Sequence, residues 1–290
     1  MREIDTVAGL RGTLAEARLA GRQVGFVPTM GFLHDGHVSL MERAAAECDV
    51  VLASIFVNPL QFGANEDLDA YPRDLDRDRQ LAEGAGVDLL FVPPLGEMYP
   101  EPMATNVSVS DVSARFEGAS RPTHFDGVAT VVAKLFNLSG PCRAYFGEKD
   151  FQQIAVVRRM VRDLSVPVEV VACPTVREPD GLAMSSRNAY LDATQRAAAP
   201  VLHRALTAGA GAIADGTIDV GEVRDTMREV TAAEPLAQVD YLDVADPGSL
   251  EPLHALDHRR GSEVRLLGAI RIGSTRLIDN LAATVPGGTP

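Results

Sequence analysis

Val24-Gly25-Phe26-Val27-Pro28-Thr29-Met30-Gly31-Phe32-Leu33-His34-Asp35-Gly36-His37 is the stretch that decides how this chain folds. Its apolar, β-branched opening reads as a strand buried on both faces, and the change of pattern after Gly31 reads as the start of a helix. A strand that hands over to a helix in this way is the first half of a βα unit. His34 and His37 lie three residues apart, so their rings share one helical face. Free N–H groups and the positive end of the helix dipole favour an anion at such a start, and Gly36 lets backbone approach it closely. Taken alone, two surface histidines at a helix start explain the same letters equally well.

Working outward, apolar runs at 24–28, 50–57, 87–92 and 168–173 alternate with helix-period stretches near 5–20, 38–48, 75–85 and 151–164. The predicted fold class is α/β, a Rossmann-like doubly wound parallel sheet, followed by a smaller α+β domain. Ligands of such sheets collect beyond the carboxyl ends of the strands, where Thr29-Met30-Gly31, Asn58-Pro59-Leu60-Gln61-Phe62 and Gly147-Glu148-Lys149-Asp150 fall. Two prolines and a glycine in Pro174–Gly181 interrupt the pattern. The expected domains are therefore a Rossmann-like 1–174 and a small α+β 175–290. In the second, helices are predicted at 193–215 and 219–234, strands at 239–244 and 264–270, and a frayed tail from Thr284.

Composition narrows the function classes. A chain of 290 residues with 46% apolar and 23% charged content is of ordinary globular type. A formal net charge of −13 disfavours nucleic acid, whose backbone demands a basic face. Neither a signal peptide nor an apolar run of about 18–20 residues is read, so no membrane partner and a cytoplasmic location are expected. Three scattered cysteines, Cys48, Cys142 and Cys173, suggest neither a disulfide framework nor a zinc ribbon. A phosphate ligand must then meet local cations, which directs attention to Arg121, Lys149 and Arg187.

Met184-Ser185-Ser186-Arg187 brings two hydroxyls and a guanidinium close to Gly181. Those groups suit a triphosphate; equally, Ser185 or Ser186 could cap the helix that follows. The wider series of motifs closely resembles the pantoate–β-alanine ligase family (pantothenate synthetases) of the nucleotidyltransferases that carry His-x-Gly-His. It runs through Pro28–Gly31 with His34–His37, Phe56–Phe62, Tyr71-Pro72-Arg73, Arg121–Val128, Phe146–Gln153, Met184–Asn188 and Gly273–Asn280.

The resemblance implies an AMP-forming ligation. The pantoate carboxylate attacks the α-phosphate of ATP, and the amine of β-alanine then displaces AMP from the adenylate. Such chemistry asks for in-line positioning and charge neutralisation rather than an enzyme nucleophile. The implied catalytic residues are His34, His37, Lys149, Ser185, Ser186 and Arg187. ATP would further meet Met30, Gly31, Gly147, Asp150, Val176 and Met184; pantoate would meet Met30, Gln61, His124 and Gln153. For Asp150 a helix N-cap competes with a ribose contact, and for His124 a packed core histidine competes with a ligand contact. Mg²⁺ is expected with the nucleotide, with Asp78 the carboxylate candidate. Arg77 stands between Asp76 and Asp78, unlike family variants with adjacent aspartates, and a solvated acidic helix face is the competing reading. By the same resemblance the chain pairs as a homodimer, residues 1–174 carry nucleotide and pantoate, and residues 175–290 form a lid.

Rival functions are another adenylyltransferase of the superfamily, an aminoacyl-tRNA synthetase, or a silent ATP-binding module. The paired glutamines favour a hydroxyl- and carboxylate-bearing acceptor, the acidity argues against tRNA, and so many phosphate-directed groups argue against mere binding. A dehydrogenase is a poorer reading still, for no Gly-x-Gly-x-x-Gly follows the first strand.

Overall fold

The computed structural model describes residues 1–63 and 66–287. The chain divides into two units, Met1–Glu148 with Gln152–Pro174, and Lys149–Phe151 with the chain from Thr175 onward.

In the first unit the order is β1 (Arg2–Ile4), α1 (Val7–Leu19), β2 (Val24–Thr29), α2 (Asp35–Glu47), β3 (Val50–Ile55), α3 (Leu75–Gly84), β4 (Leu89–Phe91), α4 (Leu95–Met98), α5 (Glu117–Ser120), α6 (His124–Ser139), β5 (Cys142–Gly147), α7 (Phe151–Asp163) and β6 (Val168–Cys173). The strands lie β1-β4-β3-β2-β5-β6, and every pair is parallel. From β2 the chain steps outward one way to β3 and β4 and the other way to β5 and β6. The switch point, where an open parallel sheet holds its ligand, therefore lies between the carboxyl ends of β2 and β5.

Both faces of the sheet are covered, which is why its strands read as unbroken apolar runs. On one face Leu40, Met41 and Ala44 of α2 pack with Val27, Val51 and Leu90. On the other, Phe136 of α6 meets Phe26 edge-on, with ring centroids 6.5 Å apart, and Phe146 at 6.4 Å. Fully burying a side chain of this size contributes about 1.5–3 kcal/mol.

The doubly wound fold is the one predicted, but five of its elements are absent from the sequence prediction, among them the four-residue helices α4 and α5. β1 is three residues at the sheet edge. In β5, Arg143 and Tyr145 interrupt the apolar signal, because their ends pair with Glu47 and Glu169. α6 buries twelve of its sixteen residues, so it has no polar face to produce a helical period.

The second unit holds α8 (Ala193–Ala198), α9 (Val201–Ala214), α10 (Val220–Ala232), β7 (Ala237–Ala245), β8 (Glu263–Ile272) and β9 (Thr275–Thr284). Its antiparallel sheet runs β7-β8-β9, with Leu202, Leu206 and Met227 packed against Val244, Leu266 and Ile270. Gly273, at φ 59°, opens the two-residue β8–β9 turn, where a side chain would be strained. Pro200 splits the single helix expected at 193–215, since proline lacks the N–H a helix interior needs. Fraying from Thr284 is also not observed: Val285 is buried and exchanges hydrogen bonds with Gly261 and Ser262. Residues 288–290 of that predicted tail lie outside the described residues. No helix among the described residues is long and apolar enough to cross a membrane.

Gly127 of α6 sits so close to the Leu60 carbonyl that an added Cβ would overlap it, and it would lie 2.6 Å from the Gln61 Cα. Backbone atoms cannot swing aside. Gly127→Ala is expected to cost about 3 kcal/mol, seen as a fall of about 6–12 °C in the unfolding midpoint; an unchanged midpoint would contradict this packing.

Candidate functional site

His34 is the N-cap of α2, with extended backbone (φ −141°, ψ 174°). Its Nδ1 accepts the Gly36 N–H at 3.1 Å, and Nδ1 of His37 accepts the His34 N–H at 3.3 Å. The two rings are 4.1 Å apart, centroid to centroid, and tilted by 43°. With Nδ1 accepting in both, each neutral ring carries its proton on Nε2 and is a donor there. The helix start thus adds two ring N–H donors to its own backbone amides.

The turn leading into this cap is held from α3. Gly31 (φ 83°) and Phe32 (φ 50°) both take the left-handed backbone region. The Phe32 and Leu33 N–H groups donate to the two carboxylate oxygens of Asp78, each at 2.7 Å. Arg77 donates to the Leu33 carbonyl at 2.8 Å and lies 5.6 Å over the Phe32 ring. A Cβ on Gly31 would press on Ile55 and Asp78. The Asp76-Arg77-Asp78 order, odd in the sequence, places two successive side chains on one turn.

Asp78 is only 1% exposed, and burial pushes its carboxyl up against the opposing pull of the two amides. Both of its oxygens are committed, and among the described residues no three His, Cys, Asp or Glu side chains gather as a metal site. The surroundings of Asp78 therefore do not fit a resident Mg²⁺.

A second cluster forms where β3 ends. The Asn58 Nδ2 donates to Gln61 Oε1 (3.2 Å) and to the Gly127 carbonyl (3.1 Å), while its Oδ1 accepts from Leu60 N–H and from the Tyr99 hydroxyl at 2.8 Å. Burial pushes the Tyr99 phenol up to about 12. Gln61 Nε2 points at the thioether of Met30, 2.9 Å away. Sulfur is a weak acceptor, so this amide can be redirected to a better oxygen at little cost. The Gln61 carbonyl accepts from Arg121 at 3.2 Å and from His124 Nδ1 at 2.9 Å. Arg121 is not a lone cation: Glu66 holds its guanidinium through two 2.6 Å bonds.

His124 is neutral. Burial, aided by the charge on Arg121, lowers its pKa to about 4. The hydrogen bond to Gln61 puts its proton on Nδ1, which leaves Nε2 as an acceptor. Three of the residues predicted for pantoate, Met30, Gln61 and His124, are thus linked in one unit. Gln153 stands half-buried on α7, without the contacts that fix its neighbour: Gln152 accepts from Glu117 N–H and donates to the carbonyls of Val112 and Arg115. Gly147, at the end of β5, has open space where a Cβ would stand and no positive φ. Neither packing nor conformation demands glycine there.

In the second unit Lys149 Nζ lies 3.3 Å from Asp150 Oδ1, so Asp150 meets its neighbour rather than capping α7. Val176 and Met184 face each other across a short hairpin, in which Met184 N–H donates to the Val176 carbonyl at 3.0 Å. Gly181, at φ 93°, turns that hairpin. Ser185 caps the 3₁₀ turn Ser186–Tyr190 by accepting the Arg187 N–H at 3.3 Å, and Ser186 is buried. Asn58, Tyr99 and Arg77 escaped the sequence analysis as site-building residues; Asn58 reaches Gly127, Tyr99 reaches Asn58 and Arg77 reaches Leu33, partners 69, 41 and 44 positions away that no local pattern announces.

A family model described as pantoate-beta-alanine ligase matches residues 2–282. The chain belongs to the pantoate–β-alanine ligase family. It is 59% identical over 272 residues to the pantothenate synthetase of Herpetosiphon aurantiacus, covering 93% of this chain and 98% of that one. With the pantothenate synthetase of Sinorhizobium medicae it shares 55% over 280 residues, 97% and 95% of the two chains. Among solved structures, a pantothenate synthetase from Thermus thermophilus superimposes with a TM-score of 0.91 at 55% identity, over 97% of this chain and 99% of that one. A pantoate-beta-alanine ligase from Francisella tularensis, complexed with beta-gamma ATP and beta-alanine, gives 0.79 at 33% identity, over 97% of each chain. The chain is accordingly an enzyme of this ligase family.

Two measurements follow from this geometry. Asp78→Asn replaces one accepting oxygen by a second donor facing a backbone N–H; a loss of about 2 kcal/mol in urea unfolding is expected without any Mg²⁺ present, and full stability would contradict the clamp. For His124, the folded pKa lies below the unfolded value near 6.5. Its contribution to stability is therefore complete above about pH 6.5, falls as the unfolded state takes up the proton, and levels off below about pH 4. The full swing is on the order of 3 kcal/mol. Unfolding curves at pH 7 and pH 5 should differ less for His124→Asn than for the parent chain; identical pH dependence would contradict a neutral buried imidazole.

Proposed function

We propose that the chain condenses pantoate with β-alanine, using ATP, through an enzyme-bound pantoyl adenylate. The observation that carries this reading is the pair of imidazoles at the start of α2, whose Nδ1 atoms are engaged with backbone and whose Nε2–H groups supply neutral donors at the positive end of a helix. That arrangement suits a triphosphate, and it supplies no acyl-transfer nucleophile.

In the first step a pantoate carboxylate oxygen attacks the α-phosphorus in line. The bond from that phosphorus to the bridging oxygen breaks, and pyrophosphate leaves with the electron pair. His34 and His37 stabilise the phosphates, with Lys149, Ser185, Ser186 and Arg187 adding charge and donors; Met30, Gly31, Gly147, Asp150, Val176 and Met184 complete the nucleotide's contacts. Gln61, Gln153 and His124, with Met30, orient pantoate: the Gln61 amide exchanges its thioether acceptor for substrate oxygen, and His124 Nε2 accepts from a hydroxyl. In the second step the β-alanine amine attacks the acyl carbon, the acyl C–O bond breaks, AMP departs, and the amine releases its proton to water. Mg²⁺ belongs to this reading as a companion of the phosphates, held by their oxygens and water. A homodimer, by family resemblance, and a cytoplasmic location, expected from three cysteines with neither a disulfide nor a zinc pattern, complete it.

Exchange of labelled pyrophosphate into ATP, with pantoate and Mg²⁺ present and β-alanine absent, tests the adenylate route. Pantoate-dependent exchange is expected, and its absence from folded, ATP-binding protein would overturn the reading. His37→Ala should fold with a loss of about 1 kcal/mol from the broken cap and lose about 10²–10³ in exchange rate. Gln153→Ala should raise the KM for pantoate more than that for ATP, and the reverse pattern would move Gln153 out of the pantoate site.

A further inference from the structure

The second unit contains a buried polar network to which no role has yet been given. Asp279 and Asn280, in β9, are 5% and 4% exposed. Asp279 takes both ends of the Arg177 guanidinium, at 2.6 and 3.0 Å, and its Oδ1 also accepts the Asn280 N–H at 2.8 Å. Arg177 continues to the carbonyls of Gly181 (3.0 Å) and Asn280 (3.4 Å). The Asn280 side chain divides its two ends. Its Nδ2 donates to the Lys149 carbonyl at 2.9 Å, and its Oδ1 accepts from Arg265 at 3.2 Å. Arg265, itself buried, lies 3.8 Å over the ring of Phe151.

Two adjacent residues of one strand therefore hold the backbone of Lys149, the ring two residues after it, and the hairpin that carries Val176 and Met184. A buried ion pair is a poor device for stability alone, since desolvating both charges offsets most of their attraction. Its fixed bidentate geometry is well suited to orientation. Lys149 lies in the 3₁₀ turn Glu148–Asp150 that runs into α7, and the Asn280 amide ties its carbonyl from 131 positions away.

We infer that Asp279 and Asn280 are positioning residues for the ligation: they set the Lys149 ammonium and the Val176–Met184 hairpin in one fixed arrangement. This deepens the proposed function and rests on its reading of Lys149 as a phosphate-stabilising cation. Asn280 acts through Lys149, so the effects of changing the two must not multiply.

The test is a double-mutant cycle in pyrophosphate exchange with the full chain, at enzyme concentrations that allow weak exchange to be measured. Asn280→Ala removes both bonds. Asn280→Asp is nearly isosteric and keeps the oxygen that accepts from Arg265, while it sets an oxygen against the Lys149 carbonyl; it keeps the test decisive if the alanine variant does not fold. Each is expected to lower the exchange rate about 10- to 100-fold, the scale of an ångström-sized misplacement, with the KM for pantoate changed less than twofold. In the Lys149→Ala background neither should lower the rate further. An equal fold-loss in both backgrounds, or normal exchange in Asn280→Asp, would overturn the inference and leave the proposed reaction standing. Normal exchange in Lys149→Ala alone would remove the assigned role of Lys149, and the inference with it, whatever the Asn280 variants do.

Discussion

An α-helix begins with backbone N–H groups that have no partner inside the helix, and the start of α2 is where this constraint meets the chemistry. Serine, threonine, aspartate and asparagine are the usual caps. Here imidazole serves instead, with Nδ1 of His34 and of His37 each taking a backbone N–H. An aspartate in that position would repel a phosphate. An imidazole whose Nδ1 accepts the amide presents its Nε2 on the other side, so one interaction completes the helix and orients the ring for the anion proposed there.

That cap is only as well placed as the turn before it. Phe32 sits at φ 50°, which costs a non-glycine residue of order 1–3 kcal/mol. Two charge-assisted bonds from consecutive N–H groups to the Asp78 carboxylate, each contributing about 1.5–3 kcal/mol, outweigh the strain. The consequence is a buried carboxylate, and Asp78 is tolerated because both of its oxygens are satisfied. The same logic governs the Asn58 cluster: every end of its side-chain amide has a partner, so it locates Gln61 and the backbone of α6 without leaving a buried polar group unpaired. The weak link in that cluster is the Met30 thioether, which under the proposed function gives way to a pantoate oxygen.

In the second unit, the proposed chemical roles again fall on residues with structural ones. Ser185 caps a 3₁₀ turn, the plainer of the two readings that the sequence allowed, and the cap leaves Ser186 and Arg187 in the first residues of that turn. The alternatives were never exclusive, because a hydroxyl that fixes a helix start also fixes the residues just after it.

Read alone, the sequence determined the parallel sheet and the position of the His34–His37 helix start, because both are written in local terms: buried strands are continuous apolar runs, and rings at i and i+3 share a face. The strength of the family resemblance lay in the same kind of signal, short motifs spaced along the chain. Local pattern was silent where burial was total, as in α6, and where polar residues of a strand found partners on other elements, as in β5. It misjudged Pro200 and the tail near Val285, one for a missing N–H and the other for a tertiary bond. Only the tertiary structure decided that Asp78 clamps a turn, that Arg121 is paired with Glu66, and that Asn280 holds the carbonyl of Lys149. The physical reason is common to all three: a charged or amide side chain looks the same in sequence whether it faces water or a buried partner, and only the fold supplies the partner.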